Sequence, residues 1–297
     1  MTVISVPARQ TFHLQSMHLQ TLNPSKYKRL FAFGCSFTSY YWPTWADILA
    51  QDIPYFENWG WGGAGNLYIF NAIMEAHTQH QFTKDDLIVV MWSNKNREDR
   101  YVNNEWMVTP GSMLEDRYGK DWIKKFYDER GCMIRDLALI QAIQLFLNTL
   151  DSDWINMSIN TFANGDIDKI RKNASVYIND RADWNQEVIV PLHKGVISDL
   201  FKNRDVIESY KDVFLKIEPS VFNILQDTKE YKARGRPNKD DGHPTPAEIL
   251  KYLDLVFPDN TISEKAREFA GSFEEQIWKQ RTTTQLFEST SAKIKRL

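Results

Sequence analysis

The chain has 297 residues, of which 42% are hydrophobic and 25% charged, a composition typical of globular proteins rather than disordered, collagenous or coiled-coil chains. With 36 basic and 39 acidic side chains, the formal net charge is -3, so no bulk positive field attracts nucleic acid. The two cysteines, Cys35 and Cys132, lack the clustered spacing of a structural zinc site. We therefore expect two reduced thiols, no metal and no nucleic-acid partner.

The sequence also bears on location and domain organisation. It contains no uncharged apolar run of roughly 18 residues and no basic segment followed by an apolar one near its start. We expect a cytoplasmic protein with no membrane partner. We expect an N-terminal extension over 1–25, a main domain over 26–258, and an amphipathic helix with a polar tail over 259–297.

Predicted strands and helices alternate along the chain. Strands are predicted where short apolar runs are bounded by turn residues, and helices where apolar residues recur every three or four positions. The predicted strands are 30–33, 53–58, 87–92 and 154–159. The predicted helices are 44–49, those starting near 67, 137 and 246, and the C-terminal one over 262–277.

Two segments interrupt this alternation. Residues 94–132 are polar and aromatic, and 100–108 within them predict a hairpin about an Asn-Asn turn. A connection this long is usually a lid or a binding element. Residues 161–215 show no clear unit, and we expect a mostly helical insertion there. Residues 221–225 are compatible with a fifth strand or with part of a helix.

The alternation predicts an α/β fold, and we expect a three-layer α/β/α sandwich with a mostly parallel, flavodoxin-like, five-stranded sheet. Open sheets of this kind bind ligands beyond the carboxyl ends of their strands. Four blocks follow predicted strands or precede a predicted helix, so we expect them to meet at one edge of the sheet. They are 34–38, 58–66, 92–97 and 240–248.

The last block carries the strongest chemical signal. Residues 245–248 (T-P-A-E) have the pattern of a capping box with proline at the first helical position, so a helix begins there and fixes the preceding loop. His243 lies on that loop, three residues after Asp240, whose carboxylate can accept from one imidazole nitrogen and leave the other as a base. Ser36, in the turn after the first strand, supplies a hydroxyl for that base. Asp241 is the alternative to Asp240.

The two middle blocks supply hydrogen-bond donors. The glycines of 58–66 permit positive φ and let backbone N–H groups approach a ligand. Gly60, Gly62 and Gly65 also match the dinucleotide pattern G-x-G-x-x-G, which we discount because no acidic residue ends the following strand. In the block 92–97, an asparagine amide at the end of a strand either donates to a developing oxyanion or forms a turn with its own backbone.

These blocks, in this order, resemble the SGNH, or GDSL-like, hydrolase superfamily, and the resemblance covers most of the chain. It implies a triad of Ser36 as nucleophile, His243 as base and Asp240 as the orienting carboxylate. It also implies an oxyanion hole formed by the backbone of Ser36 and Gly63 and by the side chain of Asn94. The implied activity is that of a serine esterase without a cofactor.

The sequence departs from the family pattern at two places. The usual G-D-S is G-C-S here, and the usual G-x-N-D is W-S-N-K. Asn96 and Arg97 are therefore alternatives to Asn94 in the oxyanion hole. We expect Cys35 to pack in the core, because its side chain points away from that of Ser36.

Several tryptophans lie in or beside the blocks and the predicted lid, and indole faces stack on sugars as well as filling cores. We expect an O-acylated carbohydrate as the substrate, contacted by Trp61, Arg97 and Trp106. Two alternatives remain: an O-acyltransferase with the same triad, and a non-catalytic glycan-binding or assembly protein on a hydrolase scaffold. We expect a homo-oligomer only because such assemblies are common among proteins in general, and not because of a feature of this sequence.

Overall fold

The computed structural model describes residues 22–108, 120–160, 220–221, 225, 243–257 and 261–279. The strands are β1 (Arg29–Phe33), β2 (Tyr55–Asn58), β3 (Asp86–Trp92), β4 (Arg100–Val102), β5 (Glu105–Met107) and β6 (Asp153–Ser158). The helices are α1 (Trp45–Leu49), α2 (Asn66–His80), α3 (Lys120–Phe126), α4 (Glu129–Leu147), α5 (Pro246–Val256) and α6 (Glu264–Lys279). Within these ranges, none of the helices has the length and apolar character needed to cross a membrane.

Four of the strands form a parallel sheet in the order β2-β1-β3-β6. In the register, Leu30 of β1 lies beside Phe56 of β2 and Leu87 of β3. All seven residues of β3 are buried, as expected for a strand covered on both faces. The prediction of an α/β fold with a mostly parallel sheet flanked by helices is confirmed.

Residues of β1 alternate between two apolar clusters, as the two-residue period of a strand requires. Leu30 and Ala32 belong to a cluster with α1, α5 and α6, whereas Phe31 and Phe33 belong to a cluster with α2 and α4. Cys35 is fully buried in the first cluster, as expected. Each fully buried large apolar side chain contributes about 1.5 to 3 kcal/mol, so these clusters hold the strand ends in place.

The segment after β3 contains one predicted element and one that was not predicted. The hairpin is present as β4 and β5, and both residues of its turn, Asn103 and Asn104, have positive φ (53° and 65°). Helix α3 was not predicted, because its seven residues make only about two turns, too short a stretch for the spacing of Trp122, Ile123 and Phe126 to establish a helical period.

The remaining predictions fall partly outside the described residues. Val221 and Leu225 are buried and helical, so the helical alternative holds at these two positions and the fifth strand does not pass through them. Residues 1–21 of the predicted N-terminal extension, the insertion over 161–215, the aspartates at 240 and 241, and the polar tail lie outside the described part of the chain; the last residues of the extension are described, and Leu22 among them is buried.

Candidate active site

Ser36 lies in a tight turn at the carboxyl end of β1. The carbonyl of Cys35 accepts a hydrogen bond from the Thr38 N–H at 2.9 Å, which closes the turn. At Gly34, where the turn begins, an added Cβ would lie 3.0 Å from the Met91 carbonyl of β3 and would overlap the Thr38 hydroxyl. Only glycine fits there, because any side chain would push β1 away from β3.

His243 reaches Ser36 from the other end of the chain. Its Nε2 lies 2.7 Å from the Ser36 Oγ, although 207 positions separate the two residues. With Nε2 as the acceptor, the hydroxyl donates this hydrogen bond and the imidazole can take its proton. Ser36 is only 8% exposed, so the pair lies in a partly water-excluded position. The two side chains thus have the contact that transfer of a proton from the hydroxyl to the imidazole requires.

The loop that carries Ser36 also holds the histidine. The Tyr40 ring stacks on the His243 imidazole, with centroids 3.7 Å apart and planes 16° apart. The Phe37 ring also contacts the imidazole, at 4.9 Å and 41°. The indole N–H of Trp42 donates to the carbonyl of Pro244 at 2.8 Å. Ser36 and His243 are therefore fixed relative to each other by one short segment.

Helix α5 begins directly after the histidine loop, where the capping pattern predicts. The Glu248 carboxylate accepts from the Thr245 N–H at 2.9 Å, and Pro246 occupies the first turn. The Ala247 N–H donates to the Glu274 carboxylate of α6 at 3.3 Å. Contacts within α5 and from α6 thus hold the chain just after the base.

The glycine-rich loop after β2 lies against the turn that carries Ser36. The Trp61 N–H donates to the Gly34 carbonyl at 3.1 Å. The Asn58 side chain bridges the two segments, since its Nδ2 donates to the Thr38 carbonyl at 2.8 Å and its Oδ1 accepts from the Gly60 N–H at 2.9 Å. The first two sequence blocks therefore meet at this edge of the sheet.

The three donors that the resemblance assigns to an oxyanion hole have no acceptor within the described part of the chain. Gly63 is buried with φ of 84°, a conformation that favours glycine. The Asn94 Oδ1 accepts from the Asn96 N–H at 3.2 Å, and this turn leaves its Nδ2 available. Among the described residues, none accepts a hydrogen bond from that Nδ2 or from the N–H of Ser36 or Gly63.

The other residues of the block after β3 have structural partners. Arg97 is buried, and its Nη1 donates to the Ala64 carbonyl in the glycine loop at 2.7 Å. The Asn96 Oδ1 accepts from the Tyr127 hydroxyl at 3.1 Å. Arg97 therefore holds the glycine loop in place. The sequence predicted a substrate contact for this residue and not this structural role.

Asp99 occupies the N-terminus of α2. Its carboxylate accepts from the N–H of Gly65 at 2.8 Å and from that of Tyr68 at 2.9 Å. Burial raises the pKa of Asp99, and these two N–H groups oppose that shift. In a dinucleotide site, phosphate would occupy this helix N-terminus. The place is taken by a side chain of the protein, which supports discounting the dinucleotide pattern.

A buried polar network under the loop after β3 was missed in the sequence. The Asn66 side chain accepts from the Ser93 N–H at 2.8 Å and donates to the Asp136 carboxylate at 2.7 Å. Burial raises the pKa of Asp136 to about 6, against the effect of Arg135, whose Nε donates to it at 2.8 Å. The sequence contains one signal of this network: Asp136 is a carboxylate directly before Leu137, where the apolar face of α4 starts.

The tryptophans near the blocks divide into buried and exposed rings. Trp42, Trp45 and Trp92 are buried. Trp61 is 59% exposed on the glycine loop. Trp106 is half-buried on β5, edge-on to the rings of Tyr68 and Tyr101 with centroids 5.6 Å away in each case. Trp59 is half-buried, but its ring stacks on Phe33 with planes 28° apart and its indole N–H donates to Glu57. Trp61 and Trp106 are therefore the rings near the blocks that are best placed to offer a face to a ligand.

Comparison with known proteins yields no relative: no family model, curated protein or solved structure matches this chain. Asp240 and Asp241 lie outside the described residues, so the third member of the triad stays a prediction. The functional assignment therefore depends on the geometry around Ser36 and His243.

Proposed function

We propose that this protein is a serine esterase of the SGNH type, with Ser36 as the nucleophile and His243 as the base. The observation that carries this proposal is the 2.7 Å contact between the Ser36 Oγ and the His243 Nε2. A hydroxyl and an imidazole from distant segments meet at the carboxyl edge of a parallel sheet, where such folds place their ligands.

The proposed reaction is acyl transfer to water. The Ser36 Oγ attacks the ester carbonyl carbon while its proton passes to the His243 Nε2. His243 then gives that proton to the oxygen of the leaving alcohol as the ester C–O bond breaks. Water repeats the two steps on the acyl-enzyme, which releases the acid and restores the serine hydroxyl. Asp240 is proposed to accept from Nδ1 and to hold this tautomer of the imidazole.

The negative charge on the carbonyl oxygen requires donors that are in place before the reaction. The N–H groups of Ser36 and Gly63 and the Nδ2 of Asn94 are proposed for this role because they have no other acceptor among the described residues. A donor of this kind typically stabilises the transition state by about 3 to 4 kcal/mol.

We further infer a flavodoxin-like sheet with a fifth strand and helices in two outer layers. The order β2-β1-β3-β6 matches the first four positions of that fold's strand order. In this order β2 lies on one side of β1 and β3 on the other, so the connections from β1 and β3 lead to opposite sides of the sheet. Ser36 and Asn94 follow these two strands. The proposed nucleophile and one oxyanion donor thus flank the crevice that this topology creates.

The proposed substrate is an O-acylated carbohydrate. Trp61 is exposed two residues before the proposed oxyanion donor Gly63. At the next residue, an added Cβ on Gly62 would meet no described heavy atom within 4 Å apart from its two chain neighbours, so the loop faces open space there. A flat aromatic face next to open space is suited to stacking on a sugar ring.

Hydrolysis of a small activated acetyl ester tests this proposal. We expect Ser36→Ala and His243→Gln to lower kcat by about 10³-fold or more, with far-UV circular dichroism and urea unfolding unchanged. Ser39→Ala, which removes a hydroxyl from the same turn, is the matched control and is expected to retain the wild-type rate. Equal rates in wild type and both variants would show that the esterase proposal is wrong.

A further inference from the structure

We propose that Tyr40 is a positioning residue for the base, whose ring fixes the plane of the His243 imidazole so that Nε2 faces the Ser36 Oγ. The inference rests on the proposed function and concerns a residue to which the resemblance assigns no role. Its basis is the parallel ring contact, with centroids 3.7 Å apart and planes 16° apart.

A histidine ring needs an external constraint of this kind. Rotation about the bond between Cβ and the ring is broad, with no sharp staggered minima, so the side chain does not fix the direction of Nε2 by itself. With the Tyr40 ring parallel at 3.7 Å, rotation of the His243 imidazole would drive its edge into the tyrosine face. Phe37 limits the ring further through its tilted contact at 4.9 Å.

Tyr40 is itself held firmly. Its ring meets that of the buried Trp42 edge-on, with centroids 4.7 Å apart and planes 83° apart. Trp42 packs in a cluster with α6 and donates its indole N–H to the carbonyl of Pro244. The same aromatic pair therefore constrains the base twice, at its ring through Tyr40 and at the backbone of the next residue through Trp42.

The contact also favours the protonated state that the reaction passes through. When His243 takes the serine proton, the imidazolium lies over the face of the Tyr40 ring, where cation–π attraction stabilises the positive charge. A phenylalanine ring provides the same face and the same steric limit on rotation. A leucine side chain provides neither, so Tyr40→Phe and Tyr40→Leu separate the role of the ring from that of bulk.

Steady-state kinetics on a small activated acetyl ester form the first part of the test. We expect Tyr40→Leu to lower kcat by about tenfold or more with KM within about twofold, because a misdirected base slows the chemical step and not binding. Tyr40→Phe is expected to stay within about twofold of wild type. Tyr55→Leu, at the first residue of β2 and the opposite end of the strands, is the matched control with no expected change.

Proton NMR supplies a readout that does not require activity. The ring current of a stacked tyrosine shifts the Cε1–H resonance of His243 upfield, and the resonance is assigned by its loss in His243→Gln. We expect the upfield shift in wild type and Tyr40→Phe and its loss in Tyr40→Leu. An unshifted wild-type resonance, or full kcat in Tyr40→Leu, would overturn the positioning role.

The two proposals fail in distinguishable ways. If wild type shows the shifted resonance but hydrolyses no ester, the proposed function is wrong. The rate at which Ser36 reacts with a fluorophosphonate in the Tyr40 variants then decides the positioning role. Slower reaction in Tyr40→Leu than in Tyr40→Phe supports that role, and equal rates contradict it.

Discussion

The loops that follow β1 and β3 leave neighbouring parallel strands at the same edge of the sheet, yet they are built differently. The loop after β1 is packed: Phe37 and Trp42 are buried, the Thr38 carbonyl accepts from the Asn58 side chain, and the Trp42 indole N–H donates to the histidine loop. The chain after β3 is packed only at its start, where Ser93, Arg97 and Asp99 are buried, and then continues into the hairpin of β4 and β5, whose residues are mostly exposed.

The comparison indicates a division of labour. The side chains proposed for proton transfer lie in the packed segment, where fixed geometry benefits the chemical step. The rings proposed to meet the substrate lie on exposed elements, as is common for residues that determine specificity. Asn94 shares features of both groups, because it belongs to the chain after β3 but has a proposed role in the chemistry.

Substitution of Asn94 tests this intermediate position and has the largest expected effect among the variants that probe the comparison of the two loops. Asn94→Asp keeps the oxygen that accepts from the Asn96 N–H, and so the turn, but removes the amide donor. We expect both Asn94→Asp and Asn94→Ala to lower kcat by about 10²-fold with KM little changed, measured on an activated acetyl ester. Loss of activity in Asn96→Ala with Asn94→Ala unaffected would assign the donor to Asn96.

The buried network under the loop after β3 contains a carboxylate whose contribution to the free energy of unfolding depends on pH. Burial raises the pKa of Asp136 from 3.8 to about 6. Because the folded chain binds this proton more tightly than the unfolded chain, the contribution to the free energy of unfolding is full below pH 3.8 and is lost as the pH rises through 6.

Urea unfolding of wild type and Asp136→Asn at several pH values measures this effect. The difference in the free energy of unfolding, wild type minus variant, is expected to fall by on the order of 3 kcal/mol between about pH 4 and pH 7. Asp254→Asn, at an exposed carboxylate on α5, is measured beside it as the control for removing a carboxylate from the surface. A difference that rises with pH would contradict the direction of the pKa shift.

The glycine loop provides a matched pair of variants with a smaller effect. Gly63 has φ of 84°, so Gly63→Ala is expected to lower the free energy of unfolding by about 1 to 2 kcal/mol and to reduce kcat. Gly62→Ala adds a methyl group that meets no described atom within 4 Å, and its expected change is within about 0.5 kcal/mol. Equal destabilisation of the two variants in urea would show that the backbone of Gly63 is not a special requirement.

The exposed Trp61 ring provides the variant with the smallest expected effect. Trp61→Ala is expected to raise KM for an acetylated sugar by about three- to tenfold with kcat unchanged, the size of one aromatic stacking contact. The same variant should hydrolyse a small activated acetyl ester at the wild-type rate, because that substrate has no sugar ring. Equal losses on both substrates would place Trp61 in the support of the loop instead.

Much of the fold was predictable because its signals are local. The apolar run of β3, the end of β1 at Gly34 and the capping pattern at the start of α5 all appear within a few neighbouring residues. Parallel strands bring their carboxyl ends to one edge, so placing Ser36 after a strand and His243 before a helix was enough to predict that they approach each other.

The contacts that shape the site depend on packing between distant segments, and no local pattern encodes them. The Asn66 amide meets Asp136 across 70 positions, and Trp42 meets Pro244 across 202. The stack of Tyr40 on His243 is of the same kind. Aromatic residues beside a catalytic block are compatible with core, substrate contact or support, and only the tertiary structure distinguishes these roles.

Reaction of the native protein with a fluorophosphonate, which labels activated serines, tests the central claim most directly. Intact mass and peptide mapping locate any adduct in wild type, His243→Gln and Gly62→Ala. The geometry predicts a single adduct on Ser36 in wild type and Gly62→Ala, and none in His243→Gln over the same time. No adduct on Ser36 in wild type, or labelling of Ser36 at the same rate without His243, would contradict the assignment of the pair as nucleophile and base.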